Sequence, residues 1–305
     1  MKVYVAGHRG LVGSAIVRAI ESGDEHEWIG QTRQELDLLD RAAVFAYIFE
    51  EKPDWVIIAA AKVGGIQANS TFPVEFLSEN LQIETNLIDA CHAAKVDRVL
   101  FLGSSCIYPK NSPQPIKEEY LLTGLLEPTN EAYALAKISG LKLIEAYRKQ
   151  FGYKWISAMP TNLYGPGDNY DLESSHVLPA LMRKFHEAKE NGAGELSLWG
   201  SGTPKREFLH ADDLAKACLH LLETYDGGVA INVGTGEDVT IKDLAEKIAE
   251  IVGFSGQISW DLSKPDGTPR KLLDVSRIHA EGWHARIRLE DGLRQTYDNF
   301  KETLK

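Results

Sequence analysis

Between Lys2 and Gly165 the sequence alternates short apolar runs with longer stretches whose apolar residues recur at helical spacing. "KVYVAG", "EWIGQTR", "DWVIIAAA", "RVLFLGSS" and "WISAMPTNLYG" read as buried strands. "LVGSAIVRAIESG", "RAAVFAYIFEEK", "EFLSENLQIETNLIDACHAAK" and "EAYALAKISGLKLIEAYRKQFG" lie between them and read as helices with one apolar face. Strands separated by helices must return to the sheet by parallel crossovers, so the expectation is an α/β fold: a doubly wound parallel sheet with helices on both faces.

Beyond Gly165 the alternation loosens. "GPGDNYDLESSH" is a polar loop, a helix runs from about Val177 to Lys189, and "ELSLWGSGTPKREFLHADDLAKACLHLLE" reads as strand, turn and helix. "VAINVG" is a further strand, "TIKDLAEKIAEIVG" an amphipathic helix and "PDGTPRKLLD" a turn-rich loop. We expect a nucleotide-binding domain of residues 1–165 plus about 211–235. A smaller α/β lobe of residues 166–210 and 236–305 would carry the substrate, with a cleft between the two.

The net charge of −11 disfavours nucleic acid and anionic membranes as general partners, because both reward a basic surface. An anionic ligand must therefore meet a local basic patch. Cys91, Cys106 and Cys218 are odd in number and scattered, giving neither a disulfide framework nor a metal-ligand spacing, and a reducing cytoplasm fits them best. The apolar stretch Val3 to Ala6 is too short for a signal-peptide core. The run Trp55 to Ala61 falls far below the roughly 20 residues that span a bilayer.

"VYVAGHRGLVGSAIV" sets Gly7, Gly10 and Gly13 directly after the first strand and at the start of the first helix, with Leu11 and Val12 between them. Glycine lets the backbone turn tightly against a pyrophosphate, and the helix N-terminus offers unpaired N–H groups to it. The same triplet could be a ligand-free turn, but its place in the first strand–helix unit points to a dinucleotide. After the second strand, where an acidic residue would bind the ribose of NAD, the chain has "GQTRQELD". Arg33 there, with Arg9 in the glycine loop, could clamp a 2′-phosphate, so NADP is the expected cofactor; otherwise Arg33 is a solvated surface residue.

Tyr133 and Lys137 in "NEAYALAKISGLKLIEAY" stand four apart on a helix and share one side of it. An ammonium beside a phenol favours phenolate, which would lower the phenol from its reference value of about 10 and make it a usable proton donor to a reduced carbonyl. Such a pair is more often a plain surface contact; here it accompanies a nucleotide loop and the Ser104–Ser105 pair at the end of the fourth strand.

Through "GHRGLVG", "GSSCIYP", "YALAK" and "PTNLYGP" the chain resembles the extended short-chain dehydrogenase/reductase family over essentially its whole length. The resemblance implies a Rossmann domain in which Ser104 and Tyr133 bind the substrate carbonyl oxygen and Lys137 holds the nicotinamide ribose. It also implies that Leu102, the segment with Pro160, Asn162 and Leu163, and His176 line the cofactor. A homodimer through the helix bearing Tyr133 and Lys137 is implied in the same way.

"AAAKVGGI", "FLGSSCIYPK", "SSHVLPALMRKFHEAK", "LWGSGTPKREFLHADDLA" and "SKPDGTPRKLLD" resemble the branch of that family acting on GDP-4-keto-6-deoxymannose by 3,5-epimerisation and NADPH-dependent 4-reduction. That resemblance implies Cys106 and His176 as the epimerisation acid and base. Their chemistry suits the task, since thiol and imidazole have reference pKa values of about 8.5 and 6.5 and both exchange protons near neutrality. Without it, Cys106 would be buried filling and His176 a helix-capping loop residue. Lys184, Trp199, Arg206, Asp266 and Lys271 would line the GDP-sugar site, with Lys184 a point charge where the family also allows arginine. The alternatives are an enzyme for a dideoxy or heptose GDP-4-keto sugar, or a non-catalytic NADP-binding regulator. The intact Ser104, Tyr133 and Lys137 argue against the regulator. A 4,6-dehydratase would carry an Asp-Glu pair where this chain has "SSCIYP".

Overall fold

Val3, Val56, Ile57, Ile58, Val99, Leu100 and Phe101 have no solvent exposure. Runs apolar on both faces belong to strands covered on both sides, the signature of a parallel sheet. The computed structural model describes residues 1–264 and 266–304. In chain order its strands are β1 (Lys2–Ala6), β2 (Glu27–Ile29), β3 (Trp55–Ile58), β4 (Arg98–Leu102), β5 (Ile156–Pro160), β6 (Asn162–Tyr164), β7 (Glu195–Trp199), β8 (Lys205–Arg206), β9 (Phe208–His210), β10 (Ile231–Val233), β11 (Val239–Thr240), β12 (Gln257–Asp261) and β13 (Arg270–Lys271). The α-helices are α1 (Leu11–Glu21), α2 (Arg41–Glu51), α3 (Ile66–Thr71), α4 (Pro73–Ala94), α5 (Glu131–Phe151), α6 (Val177–Glu190), α7 (Ala211–Thr224), α8 (Ile241–Val252), α9 (Ser276–Ala280) and α10 (Leu289–Thr303).

The central sheet runs β2-β1-β3-β4-β5-β10, with every pairing parallel. This is the doubly wound α/β sheet that the alternation predicts. From β1 the chain turns to β2 on one side and then to β3 on the other, so the strand order reverses between β1 and β3. Ligands of such sheets bind in the crevice outside the carboxyl ends of the strands at that reversal. The turn after β1 abuts the chain leaving β3: a Cβ on Gly7 would stand 2.8 Å from the Ala60 backbone.

One expected strand is two. "WISAMPTNLYG" breaks at Thr161, whose N–H donates to Val233 O at 3.0 Å, the last link to β10. From Asn162 onward the chain pairs with β9 instead, outside the main sheet. The Asn162 side chain fastens this departure by donating to Glu207 O at 2.8 Å. The loop "PDGTPRKLLD" likewise contains β13, which pairs parallel with β8.

Apolar side chains gather in two cores. One lies around the central sheet and includes α1, α7 and β10; the other holds Tyr164, Leu178 to Ala188, Phe208, Leu244 to Phe254 and Leu293 to Phe300. Leu273, Val275, Ile278 and Trp283 fall within the residues assigned to the second lobe by the sequence, yet they pack in the first core. They return because Glu207, fully buried, accepts N–H bonds from Thr235 and Gly236 (2.7 Å each) and from Leu273 (3.0 Å), drawing that segment back beside β10. Among the described residues no helix is long and apolar enough to cross a membrane.

Candidate active site

At the crevice Gly7 has φ +87°, and Gly10 N–H closes the turn on Gly7 O at 2.9 Å. Gly10 is also the N-cap of α1, with no side chain capping the helix, so the first-turn amides at Leu11 and Val12 have no side-chain acceptor. A Cβ at Gly13 would collide with Gly7 O, so only glycine lets α1 start this close to the turn. This cradle fits a pyrophosphate. Arg9 and Arg33 are exposed, and neither forms an ion pair among the described residues. Glu35, the nearby carboxylate that could address a ribose, instead accepts from Thr32 N at 2.8 Å. The residues present thus fit a phosphorylated adenosine better than an unphosphorylated one. Leu102 and Pro160 end β4 and β5 at the carboxyl side of the sheet, and Asn162 and Leu163 follow at once in β6, which leaves it.

Beyond β4, Gly103 N–H bonds to Ala158 O at 2.9 Å, and Ser104 in extended conformation opens a short 3₁₀ turn over Ser105–Ile107. Its hydroxyl accepts from Cys106 N at 3.2 Å and lies near the Tyr133 phenol. Tyr133 does not behave as the i, i+4 spacing alone predicts. Burial holds its phenol above the usual range, the neighbouring Cys106 and Glu84 add to that, and only the nearby Ser104 hydroxyl opposes it. The reason lies in where Lys137 is aimed. Its ammonium is 3.0 Å from Glu84 Oε1, both side chains are only 2% exposed, and the Phe101 ring lies 4.7 Å away against 5.9 Å for the Tyr133 ring.

Cys106 is half-buried, whereas Cys91 and Cys218 are fully buried. Two donors converge on its sulfur: Asn130 Nδ2 at 3.3 Å and Lys271 Nζ at 3.6 Å. Arg206 is a further charged neighbour of Cys106, although burial is the larger influence on that guanidinium. Asn130 keeps its Oδ1 buried without a hydrogen-bond partner among the described residues. Sequence reasoning missed Asn130, although its position three residues before Tyr133, at the start of the same helix, is a signal that could have found it.

His176 is the N-cap residue of α6 but makes no side-chain capping bond. His176 lies at the exposed edge of the site, where crowding by the surrounding protein atoms holds its imidazole below the ordinary histidine range and the Lys271 charge pushes the same way. Lys271 therefore neighbours both candidate proton carriers, a place at the reacting centre rather than along the nucleotide.

The remaining candidates divide. Lys184 Nζ lies 5.2 Å from the Trp199 ring and Lys264 Nζ 5.4 Å from it, while the ring itself is 64% exposed and open to a ligand. Burial lowers the Lys184 ammonium. Arg206 donates to Thr268 O at 2.6 Å, fixing the guanidinium beside Cys106. With Lys184, Lys264 and Lys271 it gives an acidic protein a basic patch. Asp266 is used differently: its carboxylate accepts from Ser201 N at 2.9 Å and Ser201 Oγ at 2.7 Å, closing the turn that follows Trp199.

Residues 3–234 match the sequence profile of the NAD dependent epimerase/dehydratase family. The chain is similar to GDP-L-fucose synthase 1 of Arabidopsis thaliana, with 58% identity over 97% of this chain and 92% of that one. It is similar to the GDP-L-fucose synthase of Escherichia coli (strain K12), with 54% identity over 99% and 97%. Among solved structures it resembles a GDP-L-fucose synthetase from Naegleria fowleri bound to NADP. That match has a TM-score of 0.92 and 28% identity, and covers 99% of this chain and 94% of that one.

Proposed function

Since the chain belongs to the NAD dependent epimerase/dehydratase family, we propose that it converts GDP-4-keto-6-deoxymannose to GDP-L-fucose, epimerising C3 and C5 and reducing C4 with NADPH. The observation that carries this reading is Cys106, with Lys271 and Asn130 on its sulfur, next to the Ser104–Tyr133 pair. A simple ketoreductase needs only the second of these.

The C4 carbonyl oxygen accepts hydrogen bonds from Ser104 and Tyr133, which drains charge from C4 and acidifies the hydrogens on both neighbouring carbons. One of Cys106 and His176 takes a proton from C3 or C5, and the other returns one to the opposite face. Each exchange leaves the electron pair briefly on the oxygen held by Ser104 and Tyr133. NADPH, when bound, supplies the hydride that reduces C4. Tyr133 then gives its proton to the resulting alkoxide, and Lys137 holds the ribose beside it.

The glycine turn from Gly7 to Gly13 would take the pyrophosphate and Arg9 and Arg33 the 2′-phosphate, while Leu102, Pro160, Asn162, Leu163 and His176 line the nicotinamide end. Lys184 and Arg206 meet the GDP diphosphate, Trp199 walls the ligand, and Asp266 shapes the loop beside it. The chain works as a cytoplasmic homodimer. Leu135 and Phe151 on α5, 42% and 48% exposed, supply apolar surface for that contact.

NADPH consumption should be measured with GDP-4-keto-6-deoxymannose and, in parallel, with dideoxy and heptose GDP-4-keto sugars. The reading expects the first to be used best. No NADPH loss with it would overturn the reading, and faster turnover of a rival sugar would reassign the substrate.

A further inference from the structure

Glu84 lies on α4, outside every motif of the site, and is 1% exposed. Apart from the Lys137 ammonium at 3.0 Å, its carboxylate has no partner among the described residues. The fold makes room for it. A Cβ at Gly140, one turn beyond Lys137 on α5, would stand 2.6 Å from Glu84 Oε2 and 2.5 Å from Phe101 Cζ. A carboxylate in an apolar helix–helix seam is expensive to bury, and a missing side chain opposite it marks a position shaped around that group.

We propose that Glu84 is a positioning residue for the reductase centre: it balances the charge of the buried Lys137 and fixes where its ammonium stands. This rests on the reading above that Lys137 serves reduction. An ammonium with almost no access to water sheds its proton unless an opposite charge faces it. Within this cluster, Glu84 is the carboxylate that faces Lys137. The titratable groups nearby are Lys137 and Tyr133 of α5 and, past the phenol, Cys106 in the turn after β4; β4 itself presents only the Phe101 ring. Burial raises the Glu84 carboxyl and Lys137 draws it back down.

Glu84→Gln keeps the shape and removes the charge. Its reductase activity should fall at least tenfold at pH 8 and recover toward pH 6, because the falling alkaline limb of kcat moves to lower pH. Glu84→Asp should restore part of the loss, and Gly140→Ala, which crowds the carboxylate off Lys137, should shift the limb in the same direction. A limb in its wild-type place in both Glu84→Gln and Gly140→Ala would overturn the proposal.

The second measurement needs no substrate: thermal unfolding of Glu84→Gln, Lys137→Met and the double variant. Glu84→Gln should lower the unfolding temperature with Lys137 present and leave it unchanged or higher once Lys137 is Met. If Glu84→Gln alone fails to fold while the double variant folds, the coupling is established in its strongest form. Equal loss in both backgrounds, or failure of both to fold, would make Glu84 a structural residue indifferent to Lys137. Failure of the wild type to reduce the GDP-sugar would remove the functional reading while leaving this cycle intact.

Discussion

Lys271 and Cys106, 165 residues apart in sequence, meet with Nζ 3.6 Å from Sγ. The contact sets a charged donor against the sulfur that the proposed reaction uses to carry a proton. Lys271→Met should therefore slow alkylation of Cys106 by iodoacetamide several-fold at pH 7, read by mass spectrometry of the labelled peptide. Cys91 and Cys218 give no background: both are fully buried and burial pushes their thiols up, that of Cys218 to about 12. An unchanged rate would mean the contact has no electrostatic consequence.

Cys106→Ser should impair epimerisation more than reduction, since a serine hydroxyl is a far weaker acid than a thiol and does not exchange its proton readily near neutral pH. Running the reaction in heavy water and counting deuterium at C3 and C5 separates the steps. Incorporation at the wild-type level would return Cys106 to ordinary filling.

Arg33→Ala should raise KM for NADPH about tenfold or more and change KM for NADH little, because a guanidinium clamps a phosphate and has no counterpart to grip without one. Equal changes for both cofactors would show that Arg33 does not read the 2′-phosphate.

Asp168, in the loop before α6, has its carboxyl pushed up to about 7 by burial, and its Oδ2 has no hydrogen-bond partner among the described residues. Between the usual carboxylate value and about 7 the folded chain holds this proton more tightly than the unfolded one, so stability falls as pH rises through that window and the penalty is complete above it. Asp168→Asn should stabilise the protein by about 1–2 kcal/mol at pH 8 and by nothing measurable at pH 4, the partial exposure of the group keeping the gain below the full shift. Denaturant unfolding at the two pH values checks the sign.

The parts of the molecule legible in the sequence are those written in neighbouring residues. Two-sided apolar runs announced β3 and β4, helical spacing announced α1 and α5, and the glycine turn lies where the first strand–helix unit predicts it. What escaped was set by contacts across the fold. The polar Thr161 and Asn162 interrupt "WISAMPTNLYG", but a change of partner from β10 to β9 is a contact across the fold that neighbouring residues do not record. The i, i+4 spacing of Tyr133 and Lys137 says that they share a face, but not that Glu84, 53 residues before Lys137 on another helix, claims the ammonium first. Lys271 could be placed in the substrate loop by its sequence, yet only the pairing of β13 with β8 carries it to Cys106.

Glu207 gathers amides from Thr235, Gly236 and Leu273, and the chain passes repeatedly between the two cores on either side of it. Neither lobe is a cassette: no single cut releases one whole, and no contiguous stretch of gene encodes one. A protein sewn together in this way cannot acquire a new sugar by exchanging one core with a relative. It must change its chemistry by substitutions made in place, with both cores present at every step.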